Sequence, residues 1–114
     1  MERFKYAFEG IFFAFKTQTN IYIHIIISVL VIIAGFIFKI NRVEWLFIIF
    51  AIGLVLAAEL LNTAIETLVD LVSPTYNEKA GQVKDVAAGA VLIAAIVSVI
   101  IGGIVFLPRI IKII

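Results

Sequence analysis

The chain has 114 residues, of which 64% are hydrophobic and 15% are charged, and it carries a formal net charge of +1 and no cysteine. Apolar residues make up a little under half of an ordinary soluble domain, so this composition predicts an integral membrane protein with a single domain over residues 1–114. The lack of cysteine excludes a disulfide framework and thiolate metal sites. Without a basic patch or a nucleic-acid-binding motif, no nucleic-acid partner is expected.

Residues 2–16 are predicted to form an amphipathic helix that lies in the membrane surface. One face is apolar and the other is charged: Phe4, Phe8, Ile11, Phe12 and Phe15 recur at helical spacing, opposite Glu2, Lys5, Glu9 and Lys16. This arrangement favours an interfacial position over a spanning one. The aromatic residues are expected to anchor the helix in lipid, although Tyr6 could reach a site at headgroup level. A cleaved signal peptide is not expected, because acids interrupt the basic region.

The first transmembrane helix is predicted over residues 21–38, an apolar run that only His24 and Ser28 interrupt. A lone histidine near the entry of such a helix is more often a packing or interfacial residue than a ligand. His24 is therefore assigned no catalytic role. Residues 39–42 are predicted to form a short turn.

The second transmembrane helix is predicted over residues 45–72, opened by the interfacial Trp45 and ended by Ser73-Pro74. Residues 45–65 are expected to lie in the bilayer, and the remainder to project beyond it. The outer half of this helix carries a stripe of four polar side chains, three of them within about 60° of the first around the helix axis. This polar stripe consists of Glu59, Asn62, Glu66 and Asp70.

The polar stripe has two interpretations. An ionisable group inside a membrane segment costs several kcal/mol unless it faces protein or water, which makes Glu59 a candidate functional residue. The stripe could instead be a structural seam that joins helices through hydrogen bonds. Four polar residues in register favour the functional interpretation. At 1.5 Å rise per residue, Glu59 lies about 10 Å deeper than Glu66.

A long polar connection is predicted over residues 75–85, beside the acidic end of the stripe, where it would form the mouth of a site. Lys84 and Asp85 end it, at the expected start of a third transmembrane helix over residues 86–107. Free N–H groups and a lysine at a helix N-terminus suit an anionic ligand such as a nucleotide phosphate, although a solvated ion pair explains these residues equally well. Gly81 alone does not predict phosphate binding.

Three spans place the N-terminus and residues 66–85 on one face of the membrane, and residues 39–44 and the C-terminus on the other. The first face carries five basic residues and the second four: Arg3, Lys5, Lys16, Lys79 and Lys84 against Lys39, Arg42, Arg109 and Lys112. Charge by itself therefore barely decides the orientation.

These residues predict a transferase that acts where a lipid meets a charged, water-soluble reagent. A carboxylate below the headgroups can accept a proton from a lipid hydroxyl, a second carboxylate can hold a divalent cation, and a lysine can neutralise a phosphate. A different class stays open, in which the chain is a small proteolipid or a subunit of a proton-coupled transporter. Glu59 would then be a proton or cation site.

Two motifs narrow the interpretation. They are Glu59-Leu-Leu-Asn62-Thr-Ala-Ile-Glu66-Thr-Leu-Val-Asp70 and Lys84-Asp85-Val-Ala-Ala-Gly-Ala-Val-Leu. Both resemble motifs of the small prokaryotic diacylglycerol kinase and undecaprenol kinase family of membrane enzymes. The similarity covers nearly the whole chain, including Gly10-Ile11, the Asn20 and His24 positions and the closing Phe-Leu-Pro-Arg.

The resemblance implies an all-α homotrimer of three-span subunits in the bacterial inner membrane, with cytoplasmic N-termini. It implies that ATP and Mg²⁺ are used to phosphorylate a membrane lipid alcohol, undecaprenol or diacylglycerol. It also implies that Glu59 is the general base, that Glu59 and Asn62 meet the lipid, and that Glu66 binds the metal. The resemblance further implies that the nucleotide is bound by Tyr6, Glu66, Thr75, Tyr76, Asn77, Lys84 and Asp85.

One position departs from the family pattern. The family usually has a metal-binding glutamate two residues before the asparagine matched by Asn20, and this chain has Gln18 there. An amide oxygen can still coordinate Mg²⁺, but the site loses one negative charge and should bind more weakly. An enzymatically inactive relative is therefore a further alternative. The sequence Glu-Leu-Leu-Asn-Thr-Ala-Ile-Glu resembles that of undecaprenol kinases of Gram-positive bacteria more than that of diacylglycerol kinases.

Overall fold

The structure is a computed structural model that describes residues 2–114, apart from the side chain of Thr19, and over that range every element is helical. Four helices follow one another: α1 (Glu2–Thr17), α2 (Thr19–Ile37), α3 (Arg42–Val72) and α4 (Glu78–Ile113). By length and composition α2, α3 and α4 can each cross a membrane. The predicted all-helical class with three helices able to span a membrane is confirmed, whereas the interfacial position of α1 stays a prediction.

The turn between α2 and α3 is tight and tied to both helices. Lys39 has a positive φ of 53°, and the side chain of Asn41 caps α3 by accepting a hydrogen bond from the Glu44 N–H at 2.9 Å. The ring of Trp45 lies directly over Gly35, where an added β-carbon would come within 2.6 Å of the ring. Only glycine allows this approach, so the pair holds the end of α2 against the start of α3.

Helix α4 begins earlier than the sequence analysis predicted. It starts at Glu78, so most of the polar connection expected over residues 75–85 is helical. The cause is local: the Asn77 side chain accepts hydrogen bonds from the N–H groups of Lys79 at 2.9 Å and Ala80 at 3.2 Å. This cap satisfies two donors that would otherwise lack partners, and it allows the polar residues after it to continue the helix.

Helices α3 and α4 pair more extensively than any other two elements. They run antiparallel, and the Ser98 hydroxyl donates to the carbonyl of Ala51 at 3.2 Å near the middle of the pair. A small apolar cluster near the α2–α3 turn includes the buried residues Ile40, Ile48 and Val105. The polar stripe is therefore part of the hairpin formed by α3 and α4, and the packing of these two helices holds it in position.

Two ion pairs mark the two ends of this hairpin. At one end the Arg109 guanidinium donates to both carboxylate oxygens of Glu44, each at 2.6 Å, and at the other Lys84 Nζ donates to Asp70 Oδ1 at 2.5 Å. At 1.5 Å per residue, the two acids lie about 39 Å apart on α3 and the two bases about 38 Å apart on α4. The matched spacing means that both pairs form in one register of the two helices.

Replacing Arg109 by alanine is expected to lower the thermal unfolding temperature, because it leaves the partly exposed Glu44 carboxylate without its charged donor. Thermal unfolding in detergent measures the change. Lys112→Ala is the matched control, since Lys112 is an exposed base three residues further along α4 and surface changes of this kind usually stay within about 0.5 kcal/mol. Equal loss of stability in both variants would contradict a specific role for the Glu44–Arg109 pair.

Candidate functional site

The polar stripe lies on a single unbroken helix, α3, and its deepest acid is the most enclosed. Glu59 is 4% exposed and Thr63, one turn further out, is 5% exposed. Burial of a carboxylate is costly unless it has a hydrogen-bonding partner. That partner comes from α2: His24 Nε2 lies 3.0 Å from Glu59 Oε1.

The two residues of this pair are also anchored through their backbones. The Thr63 hydroxyl donates to the Glu59 carbonyl at 2.9 Å, and the Ser28 hydroxyl donates to the His24 carbonyl at 2.7 Å. Both of these hydrogen bonds are accepted by main-chain oxygens. Neither of them occupies the carboxylate of Glu59, whose side-chain contact is with His24. The pair therefore links α2 to α3 at the inner end of the stripe.

The sequence predicts no catalytic role for His24, and the structure places it in direct contact with Glu59. A signal for this contact was present in the spacing. His24 lies about 21 Å before the α2–α3 turn along its helix, and Glu59 lies about 26 Å after it. Two helices that meet in a tight turn bring residues at similar distances from that turn to similar depths in the membrane.

An apolar cleft of about 170 Å³ begins one helical turn below Glu59 and lies between α2, α3 and α4. Its walls are apolar apart from His24 and two serines, and they are formed by His24, Ile27, Ser28, Val31, Ile48, Ala51, Ile52, Val55, Ala95, Ser98 and Val99. A hydrocarbon chain could occupy such a cleft with its polar end at the carboxylate.

Asn62 and Glu66 interact in the middle of the stripe. Asn62 Nδ2 donates to Glu66 Oε1 at 2.7 Å, as expected for residues four apart on a helix. The other polar atom of Asn62, Oδ1, is buried and has no hydrogen-bond partner among residues 2–114. Buried acceptors without a donor are uncommon in proteins. The Oδ1 atom of Asn62 is therefore an available acceptor for the hydroxyl group of a ligand or for a water molecule.

Lys84 reaches the outer end of the stripe from α4. It forms the ion pair with Asp70 and also lies near enough to Glu66 to interact with that charge. The prediction that Lys84 sits at a helix N-terminus is wrong, because α4 begins at Glu78 and Lys84 lies more than a turn inside it. Any attraction of Lys84 for an anion must therefore come from its own ammonium group.

The other residues predicted to meet the nucleotide lie outside these contacts. Tyr6 on α1, Asp85 on α4, and Thr75 and Tyr76 between α3 and α4 are all exposed, and Asn77 is engaged in capping α4. Over the described range, no side-chain hydrogen bond joins the first four of them to the stripe. Helix α1 nevertheless flanks it, since a groove between α1 and α3 is lined by Gly10, Ala14, Thr63 and Thr67 among other residues.

Glu66 and Gln18 are the two residues predicted to hold Mg²⁺. Glu66 is partly exposed and no cation pairs with it at salt-bridge distance in the described part of the chain. Gln18 is partly exposed in the break between α1 and α2. No group of three or more histidine, cysteine or acidic side chains is assembled within residues 2–114. Mg²⁺ commonly uses one or two carboxylates together with substrate phosphates, so a carboxylate such as that of Glu66 can serve it without a complete protein cage.

Comparison with known proteins agrees with the family resemblance. Residues 5–106 match the family model of the prokaryotic diacylglycerol kinases. An undecaprenol kinase from Bacillus subtilis is 41% identical over 106 residues, which cover 93% of this chain and 86% of the relative. A diacylglycerol kinase from Synechocystis is 45% identical over 92% of this chain and 61% of its own length. A diacylglycerol kinase from Haemophilus influenzae is 35% identical over 90% and 87%.

These matches span most of the chain and include both motifs on which the resemblance was based. They confirm the kinase interpretation over that of a transporter subunit, since the relatives named above are kinases of lipids. The chain belongs to the prokaryotic diacylglycerol kinase family and is a membrane lipid kinase.

Proposed function

We propose that the protein transfers the γ-phosphoryl group of ATP to the hydroxyl group of a membrane lipid alcohol, undecaprenol or diacylglycerol, with Mg²⁺. The observation that carries this proposal is the buried Glu59 carboxylate, 4% exposed, on the same helix as the acids that face Lys84. Glu59 would act as a base on the lipid alcohol within the membrane, and Lys84 would act on ATP, which approaches from the aqueous side. The apolar cleft below Glu59 supports a lipid acceptor.

In the proposed reaction Glu59 accepts the proton of the lipid hydroxyl as its oxygen attacks the γ-phosphorus of ATP. A new phosphorus–oxygen bond forms to the lipid, the bond to the β-phosphate oxygen breaks, and ADP leaves with that electron pair. Asn62, whose buried Oδ1 has no hydrogen-bond partner within residues 2–114, would orient the hydroxyl. Lys84 would neutralise phosphate charge, in exchange for part of its contact with Asp70.

Glu66 and Gln18 are the residues proposed to hold Mg²⁺. When bound, the ion would neutralise charge on the phosphate oxygens during transfer. Glu66 can supply a carboxylate oxygen while Asn62 continues to donate to it, which would hold the side chain in place. With an amide in place of the second family carboxylate, affinity for the free cation should be low.

The nucleotide is proposed to lie between the outer end of α3, the start of α4 and helix α1. Tyr6, Thr75, Tyr76, Asn77 and Asp85 would surround it. This part of the proposal is supported by position and exposure: all five residues are exposed, and four of them lie on or just before the start of α4, at the end of the hairpin where Lys84 lies. A homotrimer with cytoplasmic N-termini in the bacterial inner membrane completes the proposal, on the strength of the family.

Parallel assays with undecaprenol and with diacylglycerol test the function. Purified protein in detergent micelles, given γ-labelled ATP and Mg²⁺, is expected to move label onto one of these lipids and to lose this activity when Mg²⁺ is chelated. The sequence of the Glu59–Glu66 motif favours undecaprenol as the substrate. A mock preparation from cells that do not express the protein serves as the control for contaminating kinases. No labelled lipid with either alcohol at any Mg²⁺ concentration would contradict the proposal and favour an inactive relative.

A further inference from the structure

We infer that His24 is a positioning residue for Glu59, holding its carboxylate in the orientation that receives the proton of the lipid hydroxyl. The inference rests on the proposed role of Glu59 as the base. Its direct support is the 3.0 Å contact between His24 Nε2 and Glu59 Oε1, which crosses from α2 to α3. Within residues 2–114 this is the side-chain partner recorded for that carboxylate, since Thr63 bonds only the Glu59 backbone.

Burial explains why Glu59 requires such a partner. The carboxylate is 5% exposed and the imidazole 23% exposed, so water competes little for either group. In a poorly solvated site an unpaired carboxylate is costly, and a glutamate side chain without a partner samples several rotamers. A histidine N–H that donates to Oε1 fixes one oxygen of Glu59 and leaves the other for the substrate.

The contact places the imidazole where it affects chemistry without taking part in the proton transfer. His24 also forms part of the wall of the apolar cleft that begins one helical turn below Glu59. A reacting group displaced by about 1 Å can lose about 100-fold in rate, so an orienting bond of this kind has a measurable effect on turnover. It should act on the chemical step and not on nucleotide binding, because Lys84 and Asp70 lie at the other end of the stripe.

A purely structural role is the competing explanation, in which His24 only joins α2 to α3. The two explanations differ in a double-mutant cycle of wild type, His24→Leu, Glu59→Gln and the double variant. Positioning predicts that His24→Leu lowers kcat roughly tenfold with the KM for ATP unchanged. It also predicts that the same change has no further effect once Glu59 has been replaced. His24→Gln, which retains an N–H donor, should recover most of the lost turnover.

The measurements are kcat and KM for ATP in lipid–detergent micelles, with the thermal unfolding temperature of each variant as a check on folding. A loss that is multiplicative across the cycle, or a His24→Leu variant with wild-type kcat, would overturn the positioning role while leaving Glu59 as the base. If Glu59→Gln itself kept wild-type turnover, the proposed role of Glu59 would fail, and the role of His24 with it.

Discussion

Replacing Glu59 by glutamine is expected to lower turnover by roughly 100-fold or more, with little change in the KM for ATP. The amide keeps the size of the side chain and can still form a hydrogen bond with His24, but it cannot accept the proton of the lipid hydroxyl. Since Glu59 is buried next to the apolar cleft and about 10 Å deeper than Glu66, the change should not reach the nucleotide.

Initial rates at saturating lipid, as a function of ATP concentration, separate the two parameters. Glu2→Gln is the matched control, because it makes the same chemical change at an exposed position in the first turn of α1. It should retain wild-type kinetics. A Glu59→Gln variant with turnover close to wild type would remove Glu59 from the base role, and the chemistry would have to be assigned to another group.

Replacing Lys84 by alanine is expected to raise the KM for ATP roughly 10- to 100-fold, because it removes a charge-assisted hydrogen bond to phosphate. The expected effect on kcat at saturating ATP is smaller. Lys84 is held at the end of the stripe by Asp70, 2.5 Å away, and it lies close to Glu66. Under the proposed function, its ammonium group would therefore meet both the phosphate and the metal.

Asp70→Asn distinguishes phosphate binding from a structural ion pair. Both Lys84→Ala and Asp70→Asn break the pair, but only the first removes the cation. If Lys84 binds ATP, the KM for ATP rises in Lys84→Ala and stays within a few-fold of wild type in Asp70→Asn. Similar increases in both would show that the ion pair matters only for the α3–α4 packing. Lys79→Ala, an exposed lysine five residues earlier in α4, controls for loss of one positive charge.

The members of the site that share a helix were predictable from the sequence. The stripe follows from helix geometry, since residues three, four and seven apart face one way whatever surrounds the helix. The Asn62–Glu66 hydrogen bond is an example: both ends lie on α3 and the contact needs no other element. The start of α4 is predicted too late because residues 78–85 are polar, although the capping asparagine before them is a local signal for a helix start.

The sequence by itself determined the membrane class, the apolar helices, the polar stripe and the family, because apolar length, helical periodicity and motif wording are all local properties of the chain. Only the tertiary structure decided which side chains meet across helices: His24 with Glu59, Lys84 with Asp70, and Arg109 with Glu44. These contacts depend on the rotation and axial register of one helix against another. Packing and the tight α2–α3 turn set those two quantities, and no single segment encodes them.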